Sequence, residues 1–217
     1  MTPLLAIDVV SDIVCPWCFI GKRKLERALT ELRAAEPAPD VQIRWHPFEL
    51  NPDLPAEGIA RTSYVERKFG GTERAAQVYR RVQDAGEAVG IALRFDRIEQ
   101  QPNTFDGHRL IAWAQGQGDA TPLVERLFQA FFLEGRRIGD HGELAQLAAE
   151  CGLPEHDALA MLESDVLQKE VRSESREALE VGIQGVPFFI FNGRIAVSGA
   201  QDPAGLLEAI ATARQQA

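Results

Sequence analysis

Residues 4–18 read LLAIDVVSDIVCPWC, and this stretch decides the fold. Its first half, Leu4 to Val10, is a short apolar run rich in β-branched residues, which predicts a buried strand. Two cysteines, Cys15 and Cys18, follow it, with Pro16 between them. Proline suits the first position of a helix, where its missing N–H costs no hydrogen bond. Leucine and alanine then recur at helical spacing, so a helix is expected to begin at the cysteine motif.

Strand patterns appear on both sides of a long helical stretch. Val41 to His46 alternates apolar and polar side chains, which predicts a second strand, and the helix before it should stop before Pro37. Because a helix connects these two strands, we expect them to be parallel neighbours. Later strands are predicted over residues 186–191 and 194–198, joined by a turn at Asn192-Gly193, and a closing helix over residues 203–213.

Residues 51–182 have helical periodicity almost throughout. The two ends of the chain must pair to complete one sheet. The sequence therefore predicts an α/β domain built from residues 1–50 and 183–217, with residues 51–182 as an inserted all-helical domain. Within the insertion, helices are predicted over residues 72–90, from Thr104 or Asp106 onward, and over residues 121–135, 143–151, 156–163 and 164–181, with Thr72 and Thr121 as caps.

Composition and charge exclude several classes of protein. The chain has 217 residues and a net charge of −9, from 23 Lys and Arg against 32 Asp and Glu. A protein that binds nucleic acid normally has the opposite sign, so no nucleic-acid partner is expected. No apolar run is long enough to cross a membrane, and the N-terminus lacks the pattern of a secretory leader, so a cytoplasmic location is expected. Nothing in the sequence predicts an oligomeric state.

The cysteine pair is the strongest chemical signal. A helix N-terminus stabilises a thiolate, so Cys15 is predicted to be the exposed attacking sulfur and Cys18, one turn further on, the resolving one. Attack on a disulfide would give a mixed disulfide at Cys15, which Cys18 then releases. Asp12, just before the motif, is expected either to take the proton of Cys18 or simply to form the turn.

Several motifs together resemble the DsbA-like branch of the thioredoxin superfamily. They are the Cys-Pro-Trp-Cys motif after a strand, the helical insertion, and Gly185-Val186-Pro187 at the start of a hairpin. Within that branch, residues 11–18 (SDIVCPWC), 47–52 (PFELNP) and 198–202 (SGAQD) resemble the FrnE-type group. The resemblance implies a thioredoxin fold with a large helical insertion and thiol–disulfide oxidoreductase activity, with disulfide isomerase activity as an option.

The resemblance also implies roles for the residues around the motif. It implies that Pro187 is cis and packs against the active-site disulfide, while the backbone of Val186 pairs with an extended substrate segment. Pro16 and Trp17 are assigned to substrate binding with Val186, although Trp17 could equally pack against the insertion. The expected partners are thiol- or disulfide-containing proteins or small thiols. No cofactor beyond the two cysteines is required.

A second reading comes from relatives in the same branch, the kappa-class glutathione transferases and hydroxychromene-carboxylate isomerases. These carry serine where Cys15 stands. Their resemblance implies a glutathione site at Val186, Asn51 and the turn Ala200-Gln201-Asp202, so glutathione is an optional co-substrate. The remaining alternative is a redox-regulated, chaperone-like binding module.

The third cysteine, the basic residues of the first helix, the phenylalanines and the histidines also have expected roles. A zinc site that combines the cysteine pair with Cys151 and His156 is disfavoured, so no metal is predicted, and Cys151 is interpreted as a buried apolar filler. Because no histidine stands between Cys15 and Cys18, we expect a milder oxidant than proteins near about −120 mV. The other predictions are a solvated face at Lys22, Arg23 and Lys24, an insertion core at Phe128, Phe131 and Phe132, and purely structural roles for His46 and His108.

Overall fold

A computed structural model describes residues 4–34 and 39–215 of the chain. Its central sheet has the strand order β2-β1-β5-β6, with β1 parallel to β2 and antiparallel to β5, and β5 antiparallel to β6. These strands are β1 (Leu4–Ser11), β2 (Asp40–Pro47), β5 (Phe188–Phe191) and β6 (Ile195–Ser198). The predicted pairing of the two chain ends is confirmed, because β1 lies between β2 and β5.

The helices α1 (Pro16–Ala34) and α9 (Pro203–Gln215) belong to the two ends of the chain, and both were predicted. Pro37, where α1 was expected to have stopped, lies outside the described residues. The connection between β2 and β5 contains helices joined by loops, and the short paired strands β3 (Ile59–Ala60) and β4 (Gln100–Gln101). Its helices are α2 (Arg61–Phe69), α3 (Thr72–Glu87), α4 (Phe105–Gln115), α5 (Thr121–Gln129, continued as a π-helix over Ala130–Glu134), α6 (His141–Glu150), α7 (Glu155–Leu162) and α8 (Gln168–Glu180).

Residues with positive φ account for two element ends. Asn192 and Gly193 both have positive φ, 52° and 64°, so the predicted hairpin turn between β5 and β6 is confirmed. Gly135 ends the π-helical segment with φ 74°. The expected caps at Thr72 and Thr121 are wrong, because both are the first residues of their helices.

Several predicted boundaries differ from the structure. The helix predicted over residues 72–90 ends at Glu87, and those predicted over 143–151 and 156–163 span His141–Glu150 and Glu155–Leu162. α8 begins at Gln168 and not at residue 164. The buried guanidinium of Arg109 donates hydrogen bonds to the carbonyls of Met161, Leu162, Ser164 and Val166, which removes those carbonyls from a helix. β5 begins at Phe188, two residues later than predicted, and the Val186–Pro187 peptide bond before it is cis.

One hydrophobic core runs through both parts of the molecule. Phe128, Phe131 and Phe132 are buried as predicted, but they do not pack only within the insertion. Phe19 of α1 stacks on Phe128 with 5.1 Å between ring centroids, so the helix that carries the cysteines is fixed by the insertion. The predicted domain boundaries at residues 50 and 183 stay a prediction. No helix in the described part of the chain is long and apolar enough to cross a bilayer.

Candidate active site

The cysteine motif lies where β1 gives way to α1. β1 ends at Ser11, and the amide of Cys15 donates to the carbonyl of Asp12 (2.9 Å), which closes a tight turn. Cys15 directly precedes α1, and its carbonyl accepts from the amides of Cys18 (3.0 Å) and Phe19 (3.3 Å). The first sulfur therefore sits at the positive end of a 19-residue helix, where a thiolate is favoured.

Cys15 contacts the loop that contains Val186 and Pro187, as the sequence predicts. Its thiol lies 3.6 Å from the carbonyl oxygen of Val186, close enough to donate a weak hydrogen bond, and the Val186–Pro187 bond is cis as predicted. The expectation that Cys15 is the exposed sulfur is wrong, since only 4% of its surface is accessible, against 2% for Cys18. Both residues are free thiols in this structure, and both are buried.

The two thiols differ in their surroundings. Burial raises the pKa of Cys18 well above the usual 9.0, and the neighbouring Cys15 raises it further. The Ser11 hydroxyl and the Asp12 backbone amide act in the opposite direction. Cys18 is therefore a protonated thiol at neutral pH, and it must lose its proton before it can attack a disulfide.

Close packing holds Pro187 against α1. A Cβ atom added to Gly21 would lie 2.8 Å from Cγ of Pro187 and 3.3 Å from Cζ of Phe189, so only glycine permits this approach without a shift. On the other side, the amide of Gly199 donates to the Pro187 carbonyl at 2.8 Å. The proline is thus fixed between the cysteine helix and the turn that follows β6.

The two residues between the cysteines differ in their exposure to solvent. Trp17 leaves 41% of its surface accessible, whereas Pro16 is half-buried at the start of α1. A large exposed aromatic next to a reactive sulfur offers a flat apolar surface to an incoming chain.

Of the residues predicted to bind glutathione, Ala200 and Asp202 share a contact with Lys24. Lys24 donates from Nζ to the carbonyl of Ala200 (3.0 Å) and pairs with the carboxylate of Asp202 (2.6 Å), while the side-chain amide of Gln201 donates to the Ser198 carbonyl. Asp202 is 83% exposed. Asn51 is half-buried next to Leu50, which packs in the same apolar cluster as Val186.

The prediction of a solvated face at Lys22, Arg23 and Lys24 is wrong. Only 3% of the Lys22 side chain is accessible, and its ammonium group pairs with Glu26 and, at 2.7 Å, with Glu125 of α5. Arg23 pairs with the same two carboxylates. These pairs tie the second turn of α1 to the insertion and so hold the cysteine helix in place.

Sequence reasoning missed a buried polar group beneath the motif. Asp12 is fully buried and accepts hydrogen bonds from the amides of Leu50 (2.8 Å) and Val14 (3.4 Å). It therefore forms the turn, which is one of its two expected roles. Its Oδ1 also lies 3.5 Å from Nε2 of His108 on α4, which is buried too. His108 stands 96 positions after Asp12 (108 − 12), and no short-range spacing could have connected the two.

The zinc alternative finds no supporting arrangement. Among the described residues, no three side chains of His, Cys, Asp or Glu are grouped as metal ligands, and His156 is 94% exposed beside Asp157. Cys151 ends α6 and is half-buried against the core rather than fully buried. Burial raises the pKa of its thiol.

Comparison with known proteins places this geometry in a family. A model described as a DSBA-like thioredoxin domain matches residues 6–211. The chain belongs to this family. Its relatives include the uncharacterised protein YwbO of Bacillus subtilis, which is 30% identical over 195 residues that cover 89% of this chain and 90% of that protein.

Solved structures agree with the family. A probable DsbA oxidoreductase from Streptomyces coelicolor superposes with a TM-score of 0.86 at 30% identity, over 98% of this chain and 91% of that one. A 2-hydroxychromene-2-carboxylate isomerase superposes with a TM-score of 0.72 at 15% identity, over 97% of both chains. The second likeness shows the fold alone. The predicted DsbA-like thioredoxin fold with a helical insertion is thereby confirmed.

Proposed function

We propose that this protein is a thiol–disulfide oxidoreductase whose redox group is the Cys15–Cys18 pair. One contact carries the proposal. Cys15 Sγ, at the start of α1, lies 3.6 Å from the carbonyl oxygen of Val186, the residue before cis-Pro187. A thiolate at a helix N-terminus is an activated nucleophile, and the neighbouring backbone carbonyl offers a partner to a bound extended segment. Membership of the DsbA-like family supports the same chemistry.

The proposed reaction has two displacements. The Cys15 thiolate attacks one sulfur of a substrate disulfide, and the other substrate sulfur leaves as a thiolate. Cys18 then attacks Cys15, which forms the Cys15–Cys18 disulfide and releases the second substrate thiol. The substrate disulfide is reduced and the protein is oxidised. The reverse order oxidises a substrate dithiol, and stopping at the mixed disulfide permits isomerisation.

The proposed substrates are proteins or small thiols that present an extended segment beside the sulfur. The backbone of Val186 is proposed to pair with that segment, and such pairing ignores side-chain identity. Trp17, 41% exposed next to the sulfur, is proposed to cover the apolar part of the substrate. A cytoplasmic location, where thiols are kept reduced, is part of this proposal and rests on the sequence.

The test is to trap the mixed disulfide. A Cys18→Ser variant incubated with oxidised insulin or a small aromatic disulfide should accumulate a covalent adduct at Cys15, identified by intact and peptide mass spectrometry. Cys15→Ser is the matched control and should form no adduct at residue 18, because the attacking sulfur is gone. An adduct formed equally in both variants, or in neither, would contradict the proposal.

The glutathione-dependent reading is the weaker one. It would place the ligand near Val186 and the turn of residues 200–202, but the Asp202 carboxylate is already paired with Lys24. An incoming ammonium group would have to compete with that lysine. Turnover of an aryl halide with glutathione that survives in Cys15→Ser would favour the transferase reading over ours.

A further inference from the structure

The turn of residues 199–202 is bound by the same helix that carries the cysteines. This turn follows β6 and precedes α9. Lys24 of α1 donates from Nζ to the carbonyl of Ala200 at 3.0 Å and pairs with the carboxylate of Asp202 at 2.6 Å. Within residues 4–34 and 39–215, Lys24 is the one side chain outside the turn that forms hydrogen bonds to it.

The 199–202 turn in its place supports the loop that contains Val186 and Pro187. The amide of Gly199 donates to the Pro187 carbonyl at 2.8 Å, and Gly199 has φ 80°, a conformation that favours glycine. The amide of Gln201 donates back to the Gly199 carbonyl at 2.9 Å, which closes the turn tightly. Because the turn is one compact unit, a shift of it moves the peptide that Pro187 is bound to.

One face of α1 contacts the loop and the turn together. Gly21 and Lys24 are three positions apart on the helix, so they lie on the same face. A Cβ atom added to Gly21 would lie 2.8 Å from Cγ of Pro187 and 3.5 Å from Cβ of Ala200. Only 20% of the Lys24 side chain is exposed, so most of it is packed. The helix that carries the nucleophile therefore also holds the support of the proline.

The bond to Ala200 distinguishes Lys24 from the lysine of an ordinary surface ion pair. The Asp202 side chain is 83% exposed, and an ion pair at such a position stabilises the fold little. A charged donor forms a stronger hydrogen bond than a neutral one, and here its acceptor is a main-chain carbonyl. The contact of Lys24 thus fixes the backbone of the turn rather than a mobile side chain.

We propose that Lys24 is a positioning residue, which holds the 199–202 turn against α1 and thereby sets the place of the Val186 backbone relative to Cys15. This inference rests on the proposed oxidoreductase function and adds a residue to it. The Val186 carbonyl lies 3.6 Å from Cys15 Sγ, so an extended segment that pairs there presents its disulfide to the sulfur. Lys24 acts on the binding of that segment and not on the reactivity of the sulfur, because its ammonium group is bound to the turn.

The experiment compares two disulfides with the same leaving group. One is an extended peptide whose cysteine is joined to thionitrobenzoate, and the other is dithiobis(nitrobenzoate), which has no peptide backbone. Reduced protein carrying Cys151→Ser is mixed with an excess of either compound in a stopped-flow instrument. Cys15 attacks the disulfide, and the coloured thiolate leaves. The rate of this release at increasing concentration gives a half-saturating concentration and a maximal rate.

We expect Lys24→Met to raise the half-saturating concentration of the peptide about fivefold and to leave its maximal rate within about twofold, because binding of the segment is lost equally in the ground and transition states. The release from dithiobis(nitrobenzoate) should stay within about twofold of the parent, since no backbone pairs with Val186. Lys24→Arg should restore peptide binding, because a guanidinium group can donate to the same two oxygens.

Arg27→Met is the matched control. It removes a positive charge from the same helix together with hydrogen bonds to a main-chain carbonyl, that of Ala88, but Arg27 is bound to the insertion and not to the turn. This variant should leave the release from both compounds within about twofold of the parent. A rise in the half-saturating concentration as large as that of Lys24→Met would overturn the inference.

Two further results would overturn it. One is an unchanged half-saturating concentration in Lys24→Met, and the other is an equal slowing with both disulfides, which would show a structural role only. If the parent releases no coloured thiolate from either compound, the proposed function fails and this inference falls with it. Urea unfolding checks that each variant is folded. If Lys24→Met does not unfold cooperatively, Lys24→Gln, which is shorter and neutral, carries the same test with the same expected result.

Discussion

The Cys15–Cys18 site and the Cys151 site place the same functional group at opposite ends of helices. Cys15 precedes α1 and lies at its positive end, whereas Cys151 follows α6 and lies at its negative end. An exposed Cys15 and a buried Cys151 were expected, but both thiols of the pair are buried while Cys151 is half-buried. A thiolate is favoured at the first position and disfavoured at the last.

Accessible surface alone therefore does not select the proposed redox thiol. Cys15 has a second thiol one helical turn away and the Val186 carbonyl at 3.6 Å. Burial raises the pKa of the Cys151 thiol, nearby Arg126 acts in the opposite direction, and Glu150 adds to the rise. The positions that matter are the helix end, the partner thiol and the proline loop.

Removing the Cys15 sulfur is expected to have the largest effect. Cys15→Ser should lower insulin reduction by dithiothreitol by about 10³-fold or more, to the background rate, because the nucleophile is removed. Cys151→Ser should leave the rate within twofold. Equal losses in the two variants would show that position at a helix end does not distinguish these thiols.

The second prediction concerns the proline contact that Cys151 lacks. Gly21→Ala puts a Cβ atom 2.8 Å from Pro187 Cγ, so α1 and the proline loop must separate. We expect a loss of about 1–3 kcal/mol in the free energy of unfolding by urea, together with slower insulin reduction. Gly205→Ala is the matched control, because nothing lies within 4 Å of its added Cβ and it is also helical. That variant should be more stable by up to about 1 kcal/mol.

Cys18 and Cys151 should also differ in how fast they are alkylated as the pH rises. Burial raises the pKa of both Cys18 and Cys151 above the usual 9.0. In Cys15→Ser, alkylation by iodoacetamide should therefore still rise with pH beyond 9.0, where an ordinary thiol levels off. Cys18 should react more slowly than Cys151 at every pH, by about tenfold or more, because it is less accessible. Peptide mass spectrometry measures both rates at once, and alkylation of Cys18 as fast as in urea would contradict the assigned burial.

The smallest expected effect is on the free energy of unfolding and concerns His46, which is not part of either cysteine site. Glu174 raises the pKa of His46, with Asp8 adding to the rise, so the folded state binds its proton more tightly than the unfolded state does. The stabilisation is fully present below the usual 6.5 and is lost as the pH rises through the raised pKa. His46→Gln should cost under about 1 kcal/mol at pH 5 and nothing at pH 9, measured by urea unfolding. A cost that grows with pH would reverse the assigned sign.

Sequence patterns were sufficient where the signal is local. The motif at the start of α1, the positive-φ turn Asn192-Gly193 and the strand of residues 41–46 all depend on neighbours within a few positions. The pairing of the two chain ends followed from the need to complete a sheet.

The missed features are buried charges held by distant partners. Lys22 pairs with Glu125, Asp12 faces His108, and Arg109 binds carbonyls more than fifty positions away. Each looks like an ordinary surface or structural residue along the chain, because no local period marks it. The packing of the insertion on α1 and β1 brings the first two pairs together, and packing within the insertion brings together the third.

The central claim is that Cys15 and Cys18 form one two-electron redox couple. Its most direct test is to equilibrate the protein in glutathione buffers of graded potential and to measure the Cys15–Cys18 disulfide by mass spectrometry. We predict a single transition of slope about 30 mV per tenfold change, more reducing than about −120 mV, unchanged in Cys151→Ser. A disulfide that involves Cys151, or no transition across the range, would contradict the account.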